Sequence, residues 1–159
     1  MTSENPVMNS ETLEEITDNF VADNSTHKEV IETVISSLAQ NNSAMVSQTE
    51  SGNLWKFEYG SVEVFVQLSG ETDEDLFTVW ASVLKFPVKN ELELMRKLLE
   101  MNWSQTYESR FGIMNEQVVV LSQRTVADLS AEEISRAITL VATIADDNDE
   151  MLKETFGGN

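Results

Sequence analysis

The side chains that could do chemistry in this chain are few in kind and abundant in only one. His27 is the sole imidazole among 159 residues, so any Ser-His-Asp relay or imidazole base would have to run through it. It falls in the first turn of a polar-flanked helix, the setting of a surface histidine, and one imidazole cannot build a His-rich metal site. The chain has no cysteine, which removes disulfides, thiolate nucleophiles and thiolate zinc sites. Carboxylates are the exception, with 28 Asp and Glu against 10 Lys and Arg. A glycosidase-type pair of acids is compatible with that supply, but abundance leaves no pair standing out. Asp146-Asp147-Asn148-Asp149-Glu150 resembles the start of a calcium loop. Met151 occupies the position that needs glycine, and a closing glutamate falls out of reach. The expectation there is a solvated helix end, and Glu71, Asp73, Glu74 and Asp75 read as a solvated loop. No glycine-rich phosphate loop is present: Gly157-Gly158 is terminal and Gly112 is isolated. No catalytic, cofactor-binding or metal-ligating residue emerges, and no cofactor is implied.

The formal charge of −18 bounds the partners. Phosphates would be repelled, and no Lys/Arg cluster exists to release counterions, so nucleic acid is disfavoured. Anionic membrane surfaces are disfavoured for the same reason. No stretch approaches the ~20 apolar residues of a membrane span. Met1 to Ser10 has neither the basic nor the apolar region of a secretory signal. A cytoplasmic location is the default, and the glycosylation-like Asn24-Ser25-Thr26, Asn41-Asn42-Ser43 and Asn102-Trp103-Ser104 then carry no weight. A basic or neutral protein remains a compatible partner, steered by the field. Apolar residues make up 41% of the chain, enough for a core.

The elements that must position these residues can be read from periodicity. Residues 1–25 are polar, with Leu13, Ile16, Phe20 and Val21 at helical spacing; they read as a mobile arm carrying a short helix from about Glu11 to Val21. Thr26-His27-Lys28-Glu29 fits a capping box, and Val30, Ile31, Val34, Ile35 and Leu38 fill one helix face. Strands follow at Ala44–Thr49, Leu54–Tyr59, Val62–Leu68 and Leu76–Lys85, with a tight turn at Gly60-Ser61. Pro87 ends the last of them. Asn90 is expected to cap a helix running to about Asn102, with Leu92, Met95 and Leu99 in one column and Leu94, Leu98 and Met101 in the next. Strands at Thr106–Met114 and Gln117–Gln123 flank an Asn115-Glu116 turn. Leu129 to Glu133 forms a third capping box, and a long helix follows with Ile134, Ala137, Ile138, Val141 and Ala145 on its main face. This order predicts an α+β fold, an antiparallel sheet flanked by helices: one domain over residues 26–159 preceded by the arm.

The sheet carries more apolar surface than one core needs. Phe65, Trp80 and Leu84 fall on faces opposite Val64, Val79 and Val83. If helices cover one side, these three lie on the other. Either the C-terminal helix or the arm covers them, or they form a dimer contact or client groove. They are the candidate protein-binding residues, and Trp103, Tyr107 and Phe111 would extend that surface or join the core.

The element order, the Leu54-Trp55-Lys56-Phe57 strand, the Val118-to-Arg124 strand and the Leu129-to-Ile134 helix start together resemble the YbjN-like proteins, with the cyanobacterial branch the nearer one. The resemblance covers about residues 27–156. It implies a fold similar to type III secretion chaperones, small acidic α+β proteins that often dimerise and bind client segments, and it implies no enzyme activity. The expected function is therefore a non-enzymatic protein-binding chaperone, adaptor or regulator that forms a homodimer. The alternatives are a small-ligand-sensing regulatory domain and, further off, a carboxylate-based enzyme.

Overall fold

A computed structural model describes residues 25–158; the arm and its expected helix, Glu11 to Val21, lie outside the described residues. The described chain runs α1 (His27–Leu38), β1 (Met45–Thr49), β2 (Gly52–Tyr59), β3 (Val62–Leu68), β4 (Leu76–Lys85), α2 (Glu91–Ser104), β5 (Arg110–Met114), β6 (Gln117–Thr125) and α3 (Ala131–Phe156). The six strands form one antiparallel sheet in the order β1-β2-β3-β4-β6-β5.

Local sequence explains most boundaries. Thr26 Oγ1 accepts the Glu29 N–H at the start of α1. Ser130 and Glu133 exchange both bonds of a capping box at the start of α3, each satisfying an amide that the first turn leaves without a partner. Asn90 differs from expectation. It precedes α2 with a left-handed backbone (φ 49°) and makes no side-chain cap bond. The Asn115-Glu116 turn has φ 50° and 60°, the two positive values of a type I′ hairpin, whose twist matches the strands it joins. β5 begins at Arg110 rather than Thr106. Thr106 to Ser109 forms a turn instead, in which the Ser109 N–H and hydroxyl both donate to the Thr106 carbonyl.

The core lies on one side of the sheet. Trp55, Phe57, Val64, Val66, Phe77, Val79, Ala81, Val118 and Val120 meet Ile31 and Ile35 of α1, Leu94, Leu98 and Met101 of α2, and Ile134, Ile138, Val141, Ala145 and Leu152 of α3 in one buried cluster. α3 spans about 39 Å at 1.5 Å per residue and packs on β2, β3, β4 and β6. α1 rests on α3, and α2 closes the β5 edge. Asn102 fixes that edge: its Oδ1 accepts the Phe111 N–H at 2.7 Å and its Nδ2 donates to the Phe111 carbonyl at 3.4 Å. The side chain thus pairs the outer groups of β5 as a neighbouring strand would.

Candidate functional site

The pairing register places Met45, Lys56, Phe65, Trp80, Leu121 and Arg110 side by side across all six strands. This row faces away from the helices. Phe65, Trp80 and Leu121 are half-buried and none belongs to the core cluster. Phe65 and Trp80 stack as a cross-strand pair, with ring centroids 5.3 Å apart and planes 10° from parallel, an arrangement aromatic rings favour on a pleated face. Beside them a hollow of about 520 Å³ is lined by Glu63, Ser82, Lys85, Met114, Gln117 and Val119. Val119 is buried although it stands outside the core cluster. Its cover therefore comes from the side chains of this outer face.

Leu84 does not join that face. Ser82 pairs with Val119 and Leu84 with Val118, so β4 carries one extra residue, Val83, at a bulge. A bulge resets the two-residue alternation of a strand, and Leu84 turns inward to 2% exposure beside Val118. The expectation that Leu84 lies with Phe65 and Trp80 is corrected accordingly. α3 lies wholly on the other side, which removes the C-terminal helix as a cover.

Cations gather on the outer face. Lys56 pairs with Glu63 at 3.5 Å. Lys85 and Arg110 have no carboxylate partner among the described residues. Three of the 10 Lys and Arg of the chain thus lie on this face with Glu58 and Glu63, Lys56 beside Phe65 and Arg110 two strands from Trp80.

A second apolar surface lies on α2. Leu94, Leu98 and Met101 point inward, while Leu92, Leu99 and Trp103 are 86%, 70% and 92% exposed. Their spacing of seven and four residues makes a stripe along one side of the helix. The column of Leu94, Leu98 and Met101 is core, whereas in the column of Leu92, Met95 and Leu99 only Met95 packs against it. Tyr107 is also exposed, and Phe111 is buried. The amphipathic period of α2 was readable; the missing partner for its second column was not.

The other candidates prove structural. His27 is half-buried, with Nδ1 3.0 Å from Glu71 Oε2 and Nε2 3.1 Å from the Leu129 carbonyl, and ties the start of α1 to two loops. The acidic run lies inside α3, not at its end. Asp149 is fully buried; its Oδ1 accepts the Ser61 hydroxyl at 2.7 Å and its Oδ2 sits 3.0 Å from Lys153 Nζ. Asp146 Oδ1 accepts the Ser61 N–H at 2.9 Å. A Cβ at Gly60 (φ 55°) would stand 2.0 Å from that oxygen, so the β2–β3 turn admits the carboxylate only because Gly60 has none. Among the described residues no group of three potential ligands is arranged for a metal ion. In the β3–β4 loop, Asp75 accepts bonds from the Thr72 hydroxyl, the Thr72 N–H and the Ser69 hydroxyl, which hold its pKa below the ordinary aspartate value. A cleft of about 370 Å³ lies between β6, α3 and the α2–β5 turn. Its guanidiniums are both engaged: Arg124 with Glu133 and the Ala127 carbonyl, Arg136 with Glu108 at 2.9 Å. The bond from Arg136 lowers the Glu108 pKa, and the same bond raises that of Arg136.

The fold is thus of the α+β class, an antiparallel sheet clad with helices on one face and bare on the other. It is similar to a chain in the crystal structure of the ExsC-ExsE complex, with a TM-score of 0.56 and 17% identity over 77% of this chain and 90% of that one. At that identity the likeness is one of fold. Residues 27–154 match the model of the YbjN family, described as "Putative bacterial sensory transduction regulator", and the chain belongs to that family. No curated protein matches the chain. Among the described residues no helix is long and apolar enough to cross a membrane.

Proposed function

We propose that this chain is a non-enzymatic regulatory adaptor of the cytoplasm, which binds a segment of a protein client on the bare face of its sheet. Residues 26–159 act as one domain, of the cyanobacterial branch of the family. The observation that carries the reading is the half-buried Phe65–Trp80 stack, on the sheet face that also carries Lys56, Lys85 and Arg110. Aromatic anchors with a polar rim are the usual energetic centre of a protein contact. In a chain of charge −18 this local cluster of cations selects an apolar segment bearing carboxylates. The family description and the chaperone-like fold support a protein partner. The test is calorimetric titration of a co-purifying client against wild type and Trp80→Ala. Loss of about 2 kcal/mol or more is expected for an anchor; an unchanged affinity overturns the site.

The exposed stripe of α2 fits a second copy of the chain. Two copies of so acidic a protein repel, so a self-contact belongs where charge is low. α2 carries three acids, Glu91, Glu93 and Glu100, against two bases, Arg96 and Lys97. A twofold axis would lay Leu92, Leu99 and Trp103 against their own counterparts. A second functional reading rests on the cleft holding Arg124 and Arg136. A small ligand there would replace Glu133 or Glu108 at the guanidiniums, and crystals soaked with a dicarboxylate would show it; density confined to solvent removes this alternative.

A further inference from the structure

The bare sheet face and the N-terminal segment complement each other. Residues 1–24 contain six acids, Glu4, Glu11, Glu14, Glu15, Asp18 and Asp23, and no lysine or arginine. The same stretch holds Leu13, Ile16 and Phe20. It therefore has the composition that the proposed site selects: apolar residues interspersed with carboxylates.

The point where the described chain begins puts that site within reach. Ser25 precedes α1, whose His27 touches Glu71 in the β3–β4 connection and the Leu129 carbonyl after β6. The chain thus enters the fold at the end of the sheet where β3 passes to β4. Trp80 lies four residues into β4, about 13 Å along the strand at roughly 3.3 Å per residue. Passing from the helix layer around the sheet end adds about 10 Å. The five to twelve residues that separate Phe20 to Leu13 from Ser25 span up to about 17 to 40 Å when extended, which brackets the path.

We propose that the N-terminal segment of this chain docks on its own bare sheet face, setting Ile16 and Leu13 against the Phe65–Trp80 stack and its carboxylates beside Lys85 and Arg110. The segment then occupies the client site, and a client must displace it. This rests on the client-binding reading of the same face. The α2 stripe is the poorer receptor for the segment, because Glu91, Glu93 and Glu100 outnumber Arg96 and Lys97 on that helix.

The absence of cysteine makes the test direct. Asn19→Cys in the full chain accepts a single nitroxide label, whose relaxation effect is read at backbone amides. Selective loss of amide intensity is expected at Phe65, Trp80 and Leu121 and not along α3. It should be abolished by combining the label with Lys85→Glu and Arg110→Glu. It should also weaken as salt rises from about 0.01 to 1 M and the screening length shrinks from about 30 to 3 Å. Intensity loss confined to the first turn of α1, or found along α2, overturns the proposal. So does loss that survives dilution of labelled chain only by acting on the unlabelled copy in mixed samples, which would assign the face to the segment of a second copy. The two readings fail separately. No relaxation at the face with a Trp80-dependent client affinity removes only the docked segment; relaxation at the face with Trp80-independent client affinity removes only the client site.

Discussion

Trp80 and Phe57 are both large apolar strand residues, yet they sit on opposite sides of the sheet and should respond differently to truncation. Phe57 is fully buried in the core cluster. Phe57→Ala should cost about 3–5 kcal/mol, as expected of a buried aromatic that leaves a cavity. Trp80 has only Phe65 and the side chains of the bare face beside it, so Trp80→Ala should cost the fold less than that. Urea midpoints of the two variants compare them directly, and equal losses would place Trp80 in the core. Asp149 supplies a second contrast. It is buried, and its two carboxylate oxygens meet Ser61 and Lys153. Ser61→Ala leaves one carboxylate oxygen without its hydroxyl donor and should destabilise by roughly 1–3 kcal/mol. An unchanged midpoint would mean that the turn amide alone is enough to hold α3 against the hairpin.

Elements acquire roles here from what covers them. α2 presents one apolar column to the core and the other to solvent, and Leu99→Glu should leave the thermal midpoint nearly unchanged because Leu99 touches little of its own fold. The same substitution should convert a dimer to a monomer in light scattering. A wild-type monomer across dilution, or a mutant that stays dimeric, removes α2 as the contact. The β3–β4 connection is organised by Asp75, whose carboxylate gathers Thr72 and Ser69. Its pKa is lower in the folded chain than in the unfolded one, where it is about 3.9. The stabilisation is thus in force above that unfolded value and is lost as the pH falls through the lower folded value. Protection of the Thr72 amide from exchange should persist at pH 5 and fall only below about pH 4. Asp75→Asn should remove the acid transition in that amide, and a transition unchanged by the substitution would assign it to another carboxylate.

For the whole molecule the decisive property is how uneven its surface is. Excess acids alone describe a protein that repels most partners, yet three cations border the bare sheet face and a near-balanced helix carries the exposed apolar stripe. The proposed client segment would meet the first surface and the proposed second copy of the chain the second. Association at the sheet face should therefore weaken with salt as screening grows, while self-association through α2 should not, because repulsion between the acidic bodies is screened as well. Sedimentation and client titration in low and high salt would separate the two; a parallel response would merge them into one surface.

The residues alone fix the element order, the antiparallel sheet, two of the helix caps and the inner faces of β3 and β4, because each is written in neighbours one to four positions apart: alternation for strands, a three-to-four period for helices, a hydroxyl and a glutamate for a cap. The same local information cannot show a bulge, and so Leu84, one step past Val83, is assigned by parity to the wrong face. It cannot show that Asp149 in an acidic run finds Ser61 from 88 positions away. Nor can it tell which of the two α2 columns faces the core, since both have the same period and composition. Those three outcomes depend on contacts between segments far apart in the chain, and only the packed arrangement of sheet and helices decides them.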